Sequence, residues 1–222
     1  SYFVYAGSDF VTVRPGPWAT QIDTGEGDDR IRVDLNPVGL SPVGEGRLDI
    51  SAGGGDDEII LDVPVAVSGV RLPLGGINLF GGPGGDTYRV SGDGFGELKV
   101  RIDDPSVEGS RNSLVLGYGY GASGVRLALG SLKLTFVGDG LEIHLENFDP
   151  GDVLGGPRDI DAFIFEGGEQ LTFEELVARG FDIGGTDSND TLKGTSVVDR
   201  INGGAGNDRL SSQGGDDVLD GG

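Results

Sequence analysis

The sequence predicts an all-β protein: a parallel β-roll with glycine-rich turns, interrupted by a small antiparallel β domain that carries one short helix. Three observations predict it. Glycine supplies 44 of 222 residues, roughly three times its ordinary usage, which disfavours a compact helical protein. Aspartate outnumbers glutamate 26 to 11, and the shorter acid suits turns where the longer one suits helices. Finally, the last stretch repeats every nine residues. From Gly185 it reads GTDSNDTLK, GTSVVDRIN, GGAGNDRLS, SQGGDDVLD. Position six is Asp190, Asp199, Asp208 and Asp217, and position eight is Leu192, Ile201, Leu210 and Leu219, without a slip of phase. The spacing divides the chain into an enlarged roll over 1–104, an antiparallel domain over 105–184 and a nonapeptide roll over 185–222.

The first segment runs a slower form of the same pattern. TGEGDDRIRV (24–33), AGGGDDEIIL (52–61) and GGPGGDTYRV (81–90) place sixth-position aspartates at Asp29, Asp57 and Asp86, 28 and 29 residues apart. AGSDFVTV adds a degenerate member at Asp9. Each turn leads into a strand with alternating apolar residues, such as Ile31, Val33 and Leu35. The expected coils hold about 18 residues, enlarged by roughly ten at the edge opposite the turns. NPVGLSPVGEG and PVAVSGVRLPLGG are the insertions. SGDGFGELKV (91–100) reads as a further turn with Gly96 where the aspartate belongs.

In the second segment VRLAL (125–129), LKLTFV (132–137) and LEIHLENF (141–148) alternate apolar and polar residues across short turns, the mark of an antiparallel meander with one buried face. IDAFIF is expected as its fourth strand. LTFEELVARG reads as a helix with Thr172 as N-cap, Glu175 completing a capping box and Gly180 as stop.

The nonapeptides match G-G-x-G-x-D-x-U-x, a calcium-binding β-helix repeat. Glycines permit backbone angles with φ > 0 and leave carbonyls unobstructed. Carbonyl and carboxylate oxygens are the hard ligands that calcium takes in sets of six to eight. Two nonapeptides complete one flattened coil, so Asp190 stacks with Asp208 on one edge and Asp199 with Asp217 on the other. Calcium is expected between them, helped by Gly185, Asp187, Gly203, Ala205 and Gly214, with Val197 marking the weakest turn. In the first segment it is expected between Asp29 and Asp57 and between Asp57 and Asp86, beside Gly53 and Gly82.

Composition excludes several functions. A net charge of −21 opposes nucleic acid and anionic membrane surfaces. No apolar run reaches transmembrane length. Without cysteine there is no disulfide staple, a place a metal can fill. The one histidine, His144, shares the polar face of its strand with Glu142 and Glu146, so no Ser-His-Asp or Cys-His site is expected, and the chain reads as no enzyme. Tyr118 and Tyr120 are expected to share one strand face, which would suit sugar stacking. Asp104–Pro105 and Asp149–Pro150 read as turns.

The nonapeptides resemble those of the RTX (repeats-in-toxin) secreted bacterial exoproteins. LGYGYGASGVRLALGSLKLTFVGDGLEIHLENFD together with IDAFIFEGGEQLTFEELVARGFDI resembles the haemolysin-type calcium-binding-related domain of that group. The resemblance implies an extracellular or cell-surface protein of a Gram-negative bacterium, exported unfolded by type I secretion and folding as β-rolls outside. The family's secretion signal is C-terminal. Because this chain stops inside a repeat and holds no methionine, it is expected to be a piece of a larger polypeptide. The function so implied is a calcium-dependent folding and presentation module. Two other roles stay open: part of a calcium-rigidified adhesin or S-layer protein contacting a glycan or cell-surface partner, or accessory domain of a secreted hydrolase or toxin.

Overall fold

A computed structural model describes residues 2–3, 7–14, 20–34, 46–62, 74–92, 98–106 and 109–222. Strands come in pairs that alternate between two facing sheets. The first five strands of one sheet are β1 (Tyr2–Phe3), β3 (Thr20–Asp23), β5 (Gly46–Ser51), β7 (Leu74–Phe80) and β9 (Lys99–Ile102). Facing them in the other sheet are β2 (Phe10–Val13), β4 (Arg30–Asp34), β6 (Glu58–Asp62), β8 (Thr87–Ser91) and β10 (Ser113–Leu116). All pairings among these strands are parallel. Each coil thus adds one strand to each sheet.

The period-two pattern turns every second residue inward. Ile31, Ile59 and Tyr88 stack level with one another, as do Val33, Leu61 and Val90. From the facing sheet Ile22, Ile50, Leu79 and Ile102 form a matching row. All are buried. Burying such a side chain contributes about 1.5–3 kcal/mol, so these rows hold the coils together. The outward residues are charged: Glu58 pairs with both Arg30 and Arg89, but exposed pairs add only about 0–1 kcal/mol each.

The middle segment does not stand apart from the roll. Its meander is β11 (Val125–Ala128), β12 (Leu132–Phe136) and β13 (Glu142–Leu145), antiparallel as the alternation predicts. It is built into the first sheet, with β13 parallel to β9 and β11 parallel to β16 (Phe181–Gly184). The IDAFIF strand, β14 (Ala162–Ile164), is not its fourth member. It lies in the other sheet, parallel to β10 and antiparallel to β15 (Gln170–Thr172). Phe163 and Phe165 turn inward there, and a short, mostly apolar strand is equally compatible with either sheet.

Helix α1 (Phe173–Val177) follows β15. Thr172 Oγ1 accepts from the Glu175 N–H and the Glu175 carboxylate accepts from the Thr172 N–H, the predicted capping box. Gly180 ends the helical turn with φ +82°. The buried face of α1, Phe173, Leu176 and Val177, covers the end of the core. Beyond it, β16, β18 (Asp199–Asn202) and β20 (Val218–Asp220) continue the first sheet, while β17 (Thr191–Lys193) pairs with β19 (Arg209–Ser211).

Both insertions bridge the second sheet back to the first, β4 to β5 and β6 to β7, at the edge opposite the aspartate turns. Most of their residues lie outside the described ones. So do residues 93–97 of SGDGFGELKV. That segment joins β8 to β9, the same crossing as the insertions, so it is not the next aspartate turn.

Candidate metal centre

Each sixth-position residue stands at the start of a strand, directly before it or, for Asp199, as its first residue, and this brings the aspartates of successive coils into a column. Its rungs are main-chain hydrogen bonds. Asp9 N–H donates to Asp29 Oδ1 (2.8 Å), Asp29 N–H to Asp57 Oδ1 (2.7 Å) and Asp57 N–H to Asp86 Oδ1 (2.9 Å). The same contact joins Asp190 N–H to Asp208 Oδ1 and Asp199 N–H to Asp217 Oδ1, both 2.9 Å. The pairs expected from the spacing are therefore neighbours.

The second carboxylate oxygen decides what a pair can do. Oδ2 of Asp9, Asp29, Asp57, Asp86 and Asp208 is buried and has no hydrogen-bond partner. An unsatisfied buried acceptor costs about 1–3 kcal/mol, more when charged, and here several lie in one column. Asp29, Asp57 and Asp86 are only 2%, 2% and 1% exposed. Burial, followed by the neighbouring carboxylates, pushes Asp57 up to about 6 and Asp86 up to about 7. The column lacks positive charge: no described Lys or Arg forms an ion pair with Asp29, Asp57 or Asp86.

Glycine makes the room. Gly53 has φ +108° and Gly82 has φ +107°, and a Cβ on either would overlap the carbonyl of Gly25 or of Gly53 in the adjacent coil. Gly53 N–H donates to the Gly81 carbonyl, and Gly82 N–H to Asp104 Oδ1. At position one, a Cβ on Gly203 would fall within 2.8 Å of both Asp208 Oδ2 and the Gly221 carbonyl. Close coil-to-coil approach and open space beside Oδ2 both depend on the absent side chains.

The nonapeptides are not equivalent. Where position two is threonine, the turn closes on itself: Asp190 Oδ2 accepts from Thr186 N–H and Oγ1, holding its carboxyl below the usual range. Asp199 accepts from Thr195 N–H and Oγ1 in the same way, although burial raises its pKa overall. Gly204 at position two leaves Asp208 open. Position two is thus the discriminating residue, and threonine there was a visible signal. The remaining candidates sit in these turns: Gly185 and Gly203 donate to the Asn202 and Asp220 carbonyls, Ala205 to Thr186 and Gly214 to Thr195, while Asp187 is exposed.

The aspartate pattern of the first segment ends at Asp86 in the sequence, but the column runs on. Asp86 N–H donates to Asn112 Oδ1 (2.9 Å) and Asn112 N–H to Asp161 Oδ2 (3.1 Å). Asn112 and Asp161 directly precede β10 and β14, as the other members precede their strands. Beside them Asp104 and Asp159 are fully enclosed. Asp104 N–H donates to Asp159 Oδ1, and Asn147 satisfies both oxygens of Asp159.

Two other candidates resolve plainly. His144 lies between Ser131 Oγ (2.9 Å) and Glu142 (3.2 Å) on the polar face of β13. Tyr118 and Tyr120 do not share a strand face: they lie in the turn after β10, where Tyr118 is exposed and Tyr120 is buried against Phe136. The glycines around them end the strand before the alternation can act.

This donor set fits calcium, being carboxylate and carbonyl oxygens without nitrogen or sulfur. Among the described residues no three acidic or imidazole side chains converge, so other oxygens, main-chain carbonyls foremost, would complete any coordination shell. No helix of the described residues is long and apolar enough to cross a membrane. Neither a curated protein nor a solved structure matches the chain. A family model, RTX calcium-binding nonapeptide repeat (4 copies), matches residues 193–222, the stretch that contains Asp199, Asp208 and Asp217. The chain therefore carries RTX calcium-binding repeats, and calcium is the ion they bind.

Proposed function

We propose that this chain is a calcium-dependent folding and presentation module of a secreted bacterial protein, held unfolded where calcium is scarce and ordered where it is plentiful. The observation that carries the reading is the row of buried, unpartnered Oδ2 atoms on sixth-position aspartates. Without a cation, folding brings these charges together and strips their water, which opposes the compact state. A cation that binds only the folded coils converts binding energy into folding energy. Extracellular-grade sites, with dissociation constants of roughly 0.1–1 mM, would fill outside a cell and empty inside it. The role assigns no catalysis to the chain. His144 is held by Ser131 and Glu142, an arrangement that suits a strand surface.

Far-ultraviolet circular dichroism during a calcium titration, with magnesium as control, tests the proposal. A cooperative coil-to-β transition near millimolar calcium, absent with magnesium, is the expected result. A β spectrum already complete in chelator would contradict it.

A further inference from the structure

The N-terminal column ends differently from the way it repeats. Ile102 pairs with Leu79, so Asp104, two residues on, comes level with Gly81, at position one of the turn. The coil that places asparagine at position six thus places a carboxylate at position one. We propose that Asp86 and Asp104 form a further divalent-cation site, closing the column with one acid from each position; the proposal rests on the calcium-folding reading above.

Asp86 Oδ2 is buried with no N–H or hydroxyl donor, lies within hydrogen-bond reach of the Asp104 carboxylate, and borders Gly81. A Cβ on Gly81 would lie within 2.6 Å of Asp86 Oδ2, Tyr88 Oη and Asp104 Oδ2 together. Three oxygens therefore gather beside Gly81, where a residue with a side chain would collide with all of them. Asp104 is fixed in place by three donors: its Oδ1 accepts from Gly82 N–H (3.0 Å), and its Oδ2 from Tyr88 Oη (2.6 Å) and Asn112 Nδ2 (2.8 Å). These donors are all neutral, so the two carboxylates keep a net negative charge inside the core. No described Lys or Arg forms an ion pair with Asp86 or Asp104. Two enclosed carboxylates in such contact need a shared proton or a cation between them, and hard oxygen ligands select calcium over softer ions. The Asn112 amide makes the arrangement one-sided. It supplies Oδ1 to Asp86 N–H as an aspartate would, yet turns an N–H toward Asp104, which an aspartate cannot do.

Equilibrium dialysis with calcium and tyrosine-sensitised terbium luminescence on the full chain test the site. Asp104→Asn should bind one calcium fewer per chain than wild type. Tyr88→Phe, which keeps both carboxylates but removes the phenol oxygen beside them, should bind calcium more weakly at this site and lose part of the terbium emission. If Asp104→Asn does not fold, the Tyr88→Phe luminescence decides alone. A wild-type count in folded Asp104→Asn, or unchanged emission from Tyr88→Phe, would overturn the site while leaving calcium-driven folding intact. A wild-type chain that takes up no calcium would overturn both.

Discussion

The enlarged coils of the first segment and the nonapeptide coils of the last use one turn but very different cores. In the first, Ile22, Ile31, Val33, Ile50, Leu61 and Leu79 are completely buried. In the last, Ile201 is the one position-eight residue that is fully enclosed; Leu192 and Leu210 are half-buried and Leu219 is 46% exposed. The wide coil therefore has apolar burial to set against its acidic column, and the narrow coil has little. The lesson is that the same aspartate turn can modulate a fold that has its own core or be the main support of one that does not. Dependence on the ion should rise along the chain.

The largest effect is expected where the core is thinnest. Asp208→Ala removes both the acceptor for Asp190 N–H and the buried, unpartnered carboxylate oxygen of the nonapeptides. It should raise the calcium midpoint for ordering 185–222 about tenfold or more, the equivalent of roughly 1.4 kcal/mol or greater, as read from a calcium titration of the variant.

Asp57→Asn should sharpen the comparison by changing sign with the metal. Asn112 already shows that an amide oxygen accepts the same main-chain N–H, so the rung survives. In chelator the substitution removes a buried charge and should stabilise the first segment by about 1–3 kcal/mol. At saturating calcium it should weaken binding there. Denaturant melts of both forms, with and without calcium, check the reversal.

A smaller effect is expected from protons. Asp57 and Asp86 are raised to about 6 and about 7, so the folded, metal-free state binds more protons than the unfolded chain. Their contribution is fully present below the unfolded carboxylate value near 4 and is lost as pH rises through about 6 to 7. In chelator the first segment should gain stability as pH falls from 8 to 5. In the last segment burial raises Asp199 while the Thr186 contacts lower Asp190, so the opposed shifts should leave that segment a smaller gain. Chelator melts across that range measure the difference.

The smallest effect belongs to Glu142→Ala. Its carboxylate meets Lys99, Lys133 and His144 on an accessible strand face, where such contacts contribute about 0–1 kcal/mol. Its calcium midpoint should match wild type. A shift equal to that of Asp208→Ala would remove the basis for assigning ligands by position.

Much of this was legible in the sequence because the signals are local. The phase of Asp190 to Asp217, the alternation of the meander and the Thr172–Glu175 box each lie within a few residues of their cause. The continuation through Asn112 and Asp161 was not legible: an asparagine replaces the marker residue, and Asp161 comes level with it across 49 residues. Asp104 read as the first half of an Asp-Pro turn, since nothing nearby announces Tyr88 or Asp159 as its neighbours. IDAFIF shows the same limit, for its pattern fixes which side chains face inward but not which sheet receives them.

Amide hydrogen exchange on the full chain, compared in chelator and at millimolar calcium, reads how far each set of coils depends on the ion. In chelator, residues 185–222 should exchange like an unfolded chain. Residues 109–184, where no described buried carboxylate oxygen lacks a partner, should stay the best protected, and the coils from Thr20 to Gly92 should fall between. Calcium should bring all three to continuous protection. Equal protection of 185–222 with and without calcium would show that the roll stands on its core alone, and would contradict the account.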